Sequence, residues 1–392
     1  MTKVEPLTSP SAYLDWNATA PLLPAARAAM VAALETGGNP SAVHRHGRVA
    51  RRILEDARAS VAAAFGAAPK EIVFTSGATE ANNLALKGLA GAVSKIFVSA
   101  IEHPSVLEAA RHSGVPVEII PVTAEGAVDL TALAAQLAAT GGKALIAVMA
   151  ANNETGVIQP VAEIVALARA HGALVHCDAV QMAGKAPLSF ADLGVDTLAL
   201  SAHKMGGPTG IGALLVREDT PLAAQLHGGG QERRRRAGTE NVAGIAGFGA
   251  AAAAIGALQS EMIRIAALRD ALEDTLLKEV PDGVVFGRGA ARLANTSAFA
   301  LPGVKADLQV VALDLEGVAV SAGAACSSGK VARSHVLDAM GAGALADNAI
   351  RISLGWATRD SDIEAFLSAY LKIANRRVRA SEPERRAAAG VS

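Results

Sequence analysis

Seven short apolar runs, at 72–74, 96–98, 119–122, 144–149, 173–176, 197–200 and 212–216, each stop at a polar or Gly-containing turn and alternate with Ala- and Leu-rich helical stretches. Runs this short and continuous read as strands buried on both faces. The intervening helices supply the cover, so the pattern predicts an α/β fold with a mostly parallel, seven-stranded sheet. In such a sheet ligands gather at the carboxyl ends of the strands. The polar clusters that follow the runs are therefore the candidates for chemistry.

The pattern changes after a helical segment near 242–275. A Pro281-Asp282-Gly283 break, strand-like runs at 296–301 and 318–321, and a closing helix around 363–376 predict a smaller α+β domain. A chain of 392 residues has room for both units. The expected division is 16–258 for the large domain and 1–15 with 259–379 for the small one; 380–392, rich in Ala, Glu and Arg without apolar period, reads as a disordered tail. Residues 241–260 lack charge for long enough to span a bilayer. Most are Ala or Gly, however, and Val242, Ile245, Phe248, Ile255 and Leu258 recur at spacings that predict one face of a single buried helix.

A net charge of -1 and a pI near 6.8 give no reason to expect nucleic acid or an anionic membrane as partner. The four arginines Arg233 to Arg236 are one short basic run on a neutral chain. His44 and His46 lack companions at metal-ligand spacing, so no metal is predicted. The N-terminus lacks the apolar stretch of a secretory signal, and two cysteines, Cys177 and Cys326, make no disulfide framework; a cytoplasmic location is expected.

Three motifs carry chemistry. Thr75-Ser76-Gly77-Ala78-Thr79-Glu80 follows an apolar run and opens a helical pattern, which suits a phosphate, although a helix cap by Ser76 or Thr79 explains it as well. No Gly-x-x-x-x-Gly-Lys pattern is present, which argues against a P-loop. Asp178 appears as a strand leaves the core, where a carboxylate either holds a protonated pyridine nitrogen or caps a helix. Cys177, just before it, reads as a packing residue. Lys204 follows the run 197–200 with small residues behind it; a lysine desolvated there forms an imine with an aldehyde, whereas one in a surface turn does not. A phosphate turn, an acid and a lysine thus stand in order, each at a strand end.

The chain resembles cysteine desulfurases of the NifS/IscS-like branch, within the class V aminotransferase group of fold-type-I enzymes dependent on pyridoxal 5'-phosphate. The resemblance is carried by Tyr13 to Thr19, the run at 75–80, Glu102-His103-Pro104, Asn152 to Gly156, His176 to Gln181, Ser201 to Lys204, Gly228 to Arg233, Ala237 to Asn241 and Ser321 to Ser328. It implies that Lys204 forms the Schiff base with pyridoxal phosphate, Asp178 pairs with the ring nitrogen, Gln181 reaches the ring oxygen, and His103 stacks on the ring and transfers protons. Ala78, Thr79, Ser201 and His203 would cradle the phosphate, with Thr239 reaching it from the partner of a homodimer. Asn153 and Arg351 would hold the carboxylate of the substrate L-cysteine, a task that suits a bidentate guanidinium. Cys326, in a loop of small residues, would take the sulfur as a persulfide, leaving L-alanine, and pass it to an acceptor protein for iron-sulfur cluster assembly or another sulfur-transfer pathway. The chain departs from its relatives at Gly206 and Thr209, where an aromatic residue and a lysine are common, and at Ala322 and Ala324, where serines are frequent. Selenocysteine lyase, another class V aminotransferase activity and an inactive scaffold are the alternatives; retention of Lys204, Asp178, His103, Arg351 and Cys326 together argues against the last.

Overall fold

The computed structural model describes residues 12–325 and 331–389; Cys326, the first eleven residues and 390–392 lie outside the described residues. After a short β1 (Ala12–Tyr13), all seven apolar runs become strands of one sheet: β2 (Ile72–Thr75), β3 (Lys95–Ser99), β4 (Val117–Ile120), β5 (Ala144–Met149), β6 (Leu174–Asp178), β7 (Thr197–Ser201) and β8 (Gly212–Val216). Their order is β2-β8-β7-β6-β5-β3-β4. Only β8 runs antiparallel, to both neighbours. Two reversals return β2 to the direction of β7, so the carboxyl ends of β2, β3, β5, β6 and β7 open on one edge. Every residue of β5 to β8 is buried, which is why those runs lack polar alternation. Phe74, Phe97, Ile146, Val175, Leu198 and Phe248 centre this core, each contributing about 1.5–3 kcal/mol by leaving water.

The single helix expected around 241–260 is two helices. Val242–Ala253 and Ile255–Glu279 meet at a bend of 55°. The bend divides the cores: Ile245 and Phe248 of the first helix and Ile255 at the start of the second pack under the large sheet, whereas Met262, Ile265, Leu272 and Leu276 farther along belong to a second cluster. Among the described residues no single helix is long and apolar enough to cross a membrane.

That second cluster lies under an antiparallel sheet of order β12-β15-β10-β9, formed by β9 (Val284–Val285), β10 (Thr296–Ala300), β12 (Ser321–Ala322) and β15 (Ala349–Ser353). The run expected at 318–321 divides: β11 (Val318–Ala319) pairs in parallel with β1, and only β12 joins β15. A further hairpin pairs β13 (Ala324–Ala325) with β14 (Val331–Ala332). The β1–β11 pairing ties the N-terminal segment to the second core, where Leu14 sits with Phe299, Ile350, Phe366 and Tyr370. The closing helix, Asp360–Ala389, carries helical backbone through 380–389, a stretch for which the sequence shows no apolar period.

One loop is held against its own preference. Glu232, Arg233 and Arg234 all have left-handed backbone, with φ of 44°, 54° and 62°, at a cost of roughly 1–2 kcal/mol each. The Glu232 carboxylate offsets this by gripping the buried Arg58 guanidinium with both oxygens, at 2.7 and 2.8 Å, and by accepting the Phe74 amide at 2.9 Å. A buried ion pair broken on one side leaves an uncompensated charge, so Glu232→Ala is expected to cost about 3–5 kcal/mol. Urea denaturation would measure this, and the Arg58→Met/Glu232→Met double variant is expected to lose less than either single change.

Candidate active site

The carboxyl edge of the sheet gathers the residues expected to act. At the end of β2, Gly77 takes φ 155° and ψ 179°, a conformation only glycine tolerates well. A Cβ on Gly212 of β8 would lie 2.8 Å from the Gly77 backbone, so both glycines are needed for the turn to close on the strand. The helix Ala78–Leu89 begins here with Gly77 as its N-cap and no side chain capping it. The expected alternative, a cap by Ser76 or Thr79, is not formed: the Ser76 amide donates to Glu80 Oε2 at 2.7 Å, and Thr79 is exposed. Ala78 is half-buried in that first turn. Uncapped amides at the positive end of a helix suit an anion.

Asp178, the last residue of β6, is buried, and no helix follows it. Its Oδ1 accepts the Val180 amide at 3.1 Å, and its Oδ2 accepts Asn82 Nδ2 at 2.8 Å. Because a carboxylate only accepts, the Asn82 amide must turn its oxygen to His176 Nε2, 3.0 Å away. His176 Nδ1 then takes the hydroxyl proton of Thr197 at 2.9 Å. Burial pushes His176 down to about 3, so this ring is neutral. Asn82, His176 and Thr197 form a support that motif reading did not single out. Cys177 is fully buried and its thiol is pushed well up by burial and by Asp178, as a packing residue requires.

Lys204 stands in the 3₁₀ turn Ala202–Lys204 after β7. Its Nζ donates to the carbonyls of Asn17 and Ala18 at 2.6 and 2.8 Å. Burial lowers its pKa to about 8, helped by the Arg351 charge and opposed by Asp15 and Asp178. Three charged groups therefore act on this amine. Buried Gln181 donates Nε2 to the same Asn17 carbonyl at 3.0 Å. His203 contacts Thr19 Oγ1 at 3.2 Å and is lowered to about 4, chiefly by burial and then by Lys204 and Lys185. Ser201 is buried at the end of β7.

His103 follows β3 and caps the helix Pro104–Arg111, its Nδ1 accepting the Ser105 amide at 3.1 Å. The structural role of a histidine before proline is thus realised at one nitrogen, and Nε2 has no partner among the described residues. The ring is open to solvent, yet the protein packed round it holds its pKa below the ordinary value; Asp178 opposes this, and Lys204 and His335 add to it. Next to it, Glu102 is fully buried and raised well above the usual carboxylate range by burial and by Asp178.

Arg351, on β15, reaches the same edge from the smaller lobe. It is buried, its Nη2 pairs with Asp15 Oδ1 at 2.7 Å, and its Nη1 donates to the Asn153 carbonyl at 3.2 Å. Its Nε is buried with no partner. The Asn153 side chain likewise has none among the described residues. An unsatisfied guanidinium N–H beside a free carboxamide is costly unless something else accepts from it. Thr239, by contrast, is exposed and hydrogen-bonded to none of these residues. Asp15 and Asn17 lie in the matched segment Tyr13 to Thr19, but no signal in the sequence distinguishes their parts there.

Residues 12–366 match the family model for class-V aminotransferases. The chain belongs to the class-V aminotransferase family. It is 40% identical to the IscS-like cysteine desulfurase of Mycobacterium tuberculosis over 370 residues, 91% of this chain and 94% of that protein. It is 42% identical to the cysteine desulfurase IscS of Dictyoglomus turgidum over 371 residues, 92% and 94% of the two chains. Among solved structures, the NifS-like protein from Rickettsia africae superposes with a TM-score of 0.87 at 37% identity, covering 93% of this chain and 99% of that one. The departure of this class-V aminotransferase at Gly206 has a steric reason. Gly206 has φ 81°, and a Cβ there would meet Leu23 at 2.7 Å and the Trp356 ring at 2.9 Å, which already fill the space of a larger side chain.

The depressed Lys204 amine is directly testable. At pH 7.5 roughly a quarter of it is neutral, against on the order of one in a thousand for an ordinary lysine. Reductive methylation with formaldehyde, mapped by mass spectrometry on protein freed of bound aldehydes, is expected to label Lys204 with a midpoint near pH 8. Labelling that tracks the exposed lysines would contradict the electrostatics described.

Proposed function

We propose that the protein is a pyridoxal-phosphate-dependent cysteine desulfurase, removing sulfur from L-cysteine to give L-alanine and a persulfide on Cys326. The observation that carries the reading is Arg351: a buried guanidinium with an orphaned Nε, beside the free Asn153 carboxamide, and close enough to Lys204 to lower its pKa. That is a seat for an amino-acid carboxylate next to a reactive amine. The donor set also fits the cofactor. The uncapped amides at Ala78 and Thr79, with Ser201 and His203, suit its phosphate; Asp178, held by Asn82, suits a protonated ring nitrogen; Gln181 suits the ring oxygen; and Lys204 suits the aldehyde. When bound, pyridoxal phosphate supplies that aldehyde and a ring that withdraws electrons from the substrate Cα.

The chain's own residues then divide the work. Arg351 and Asn153 orient the carboxylate, with Asp15 fixing the guanidinium. Lys204, its pKa lowered to about 8, takes the proton from the substrate Cα in its neutral form. His103 offers Nε2 for proton transfer, its Nδ1 being held by Ser105. The Cys326 thiolate attacks the substrate Sγ; the S–S bond forms as the Cβ–Sγ bond breaks, and its electron pair stays with carbon, which takes protons to become alanine. The exposure of Thr239 supports a homodimer in which it serves the partner's phosphate site. The two hydrophobic cores support a large domain of 16–258 and a small one of 1–15 with 259–379. We assign the enzyme to the cytoplasm, with a sulfur-acceptor protein as its partner, feeding iron-sulfur cluster assembly or another sulfur-transfer route.

The assay is incubation with L-cysteine, reading alanine and protein-bound persulfide. Arg351→Ala is expected to raise KM for L-cysteine roughly 10- to 100-fold, as loss of a charge-assisted contact requires, while the visible band of the lysine-bound cofactor remains. Lys204→Ala is expected to lose that band. Cys326→Ser should keep the band yet form no persulfide and almost no alanine, and Cys177→Ser should turn over nearly as the parent. Persulfide mapped to Cys177 would overturn the assignment.

A further inference from the structure

Lys185 is a half-buried amine to which the chemistry above gives no part. It lies four residues after Gln181, and its Nζ is 2.6 Å from Gln181 Oε1 and 2.7 Å from Asn17 Oδ1. No carboxylate lies within ion-pair distance among the described residues. Enclosing an amine without a counter-charge is expensive. The charged groups acting on it, Lys204 and Arg351, repel it and add to burial in holding its pKa well below that of a free lysine. His203 and, through Lys204, Asp15 and Asp178 complete the titratable surroundings.

Its two contacts determine which way two amides face. Backbone carbonyls only accept, and they fix the neighbouring assignments independently. Asn17 Nδ2 donates to the Asn153 carbonyl at 3.2 Å and to Thr296 Oγ1 at 2.9 Å, which turns Asn17 Oδ1 to Lys185 and to Asn295 Nδ2. Asn295 Nδ2 is fixed in turn by the Leu354 carbonyl at 3.0 Å. Gln181 Nε2 donates to the Asn17 carbonyl, which turns Gln181 Oε1 to Lys185. That same Asn17 carbonyl seats Lys204. Removal of Lys185 leaves Gln181 Oε1 without a donor, so that the Asn17 carbonyl alone still holds the amide.

We propose that Lys185 is a positioning residue: by holding Gln181 Oε1 and Asn17 Oδ1 it keeps the second Nε2 hydrogen of Gln181 directed at the ring oxygen of the cofactor on Lys204. The inference rests on the reading of Lys204 as the pyridoxal-phosphate lysine. A donor at that oxygen stabilises negative charge on it and weakens its hold on a proton shared with the lysine nitrogen. The pH midpoint of the visible band is thereby lowered.

The test uses the holoenzyme. Lys185→Met keeps the stem and removes the donor; borohydride reduction should still fix the cofactor on Lys204, while the midpoint of the band rises by about one pH unit, a tenfold change in proton affinity. Lys185→Ala, smaller and equally without a donor, is the second variant and should shift the same way. Lys185→Gln, uncharged but still a donor, should stay near the parent midpoint, which separates the hydrogen bond from the charge. In a Gln181→Ala background Lys185→Met should add nothing. A parental midpoint in Lys185→Met and Lys185→Ala, an equal shift in Lys185→Gln, or a full further shift in the Gln181→Ala background would overturn the proposal while leaving the function standing. A parent protein with no reducible band on Lys204 would overturn both.

Discussion

The active edge of this molecule is assembled round one buried amide, Asn17. Its carbonyl receives Lys204 and Gln181 from the large sheet, its side chain receives Lys185 and Asn295, and it donates to Thr296 and to the Asn153 carbonyl. Its own amide donates to Ser353 Oγ at 3.0 Å. Residues up to 336 positions away thus meet at one residue. Every hydrogen bond it makes is buried or nearly so, and each partner left alone would carry the full cost of desolvation. Packing also joins the two lobes, since Ile101 is buried in one cluster with Phe286, Ala298 and Val336. The amide network gives them one register.

The same economy appears in the charges. Burial acts on many of the ionisable groups at this edge: it drives His176 neutral, raises Glu102 well above the usual carboxylate range, and holds His103 and His203 below their ordinary values. The Arg351 guanidinium is answered by Asp15 at 2.7 Å. Lys204 sits between Arg351 on one side and Asp15 and Asp178 on the other, so its proton is held loosely near physiological pH. A lysine with a full carboxylate partner would hold that proton; one with none would have to be excluded from the interior.

The large sheet was legible because strands buried on both faces leave unbroken apolar runs, and all seven found their place. The smaller lobe was legible only in outline. A run at 318–321 cannot announce that its halves pair with different partners, since that is decided by β1 arriving from the other end of the chain. The helix 242–258 looked continuous because Ala and Gly carry no signal for the point at which one core hands over to another. Among site residues, those that end strands, Asp178, His103 and Lys204, could be located by position. Asn17, Asn82 and Lys185 could not, because an amide or an amine that works by orienting a neighbour has no spacing rule, and its partners lie far along the chain.

The chain contains two tryptophans, and they touch. Trp16 adjoins Asn17, and Trp356 lies just beyond β15; their rings meet edge to face with centroids 4.6 Å apart, over Gly206 and Gly355. A Cβ on Gly355 would run into the Trp16 ring at 2.0 Å, so the pair stands only while the backbone beneath it is bare. Both indoles line the cavity that Lys185 and Lys204 share. Intrinsic fluorescence in this protein is consequently a local signal. Excited at the indole band, the molecule reports a single juncture, where the segment after β1 meets the turn after β15 beside Lys204, and stays silent about events in the remote parts of the sheet.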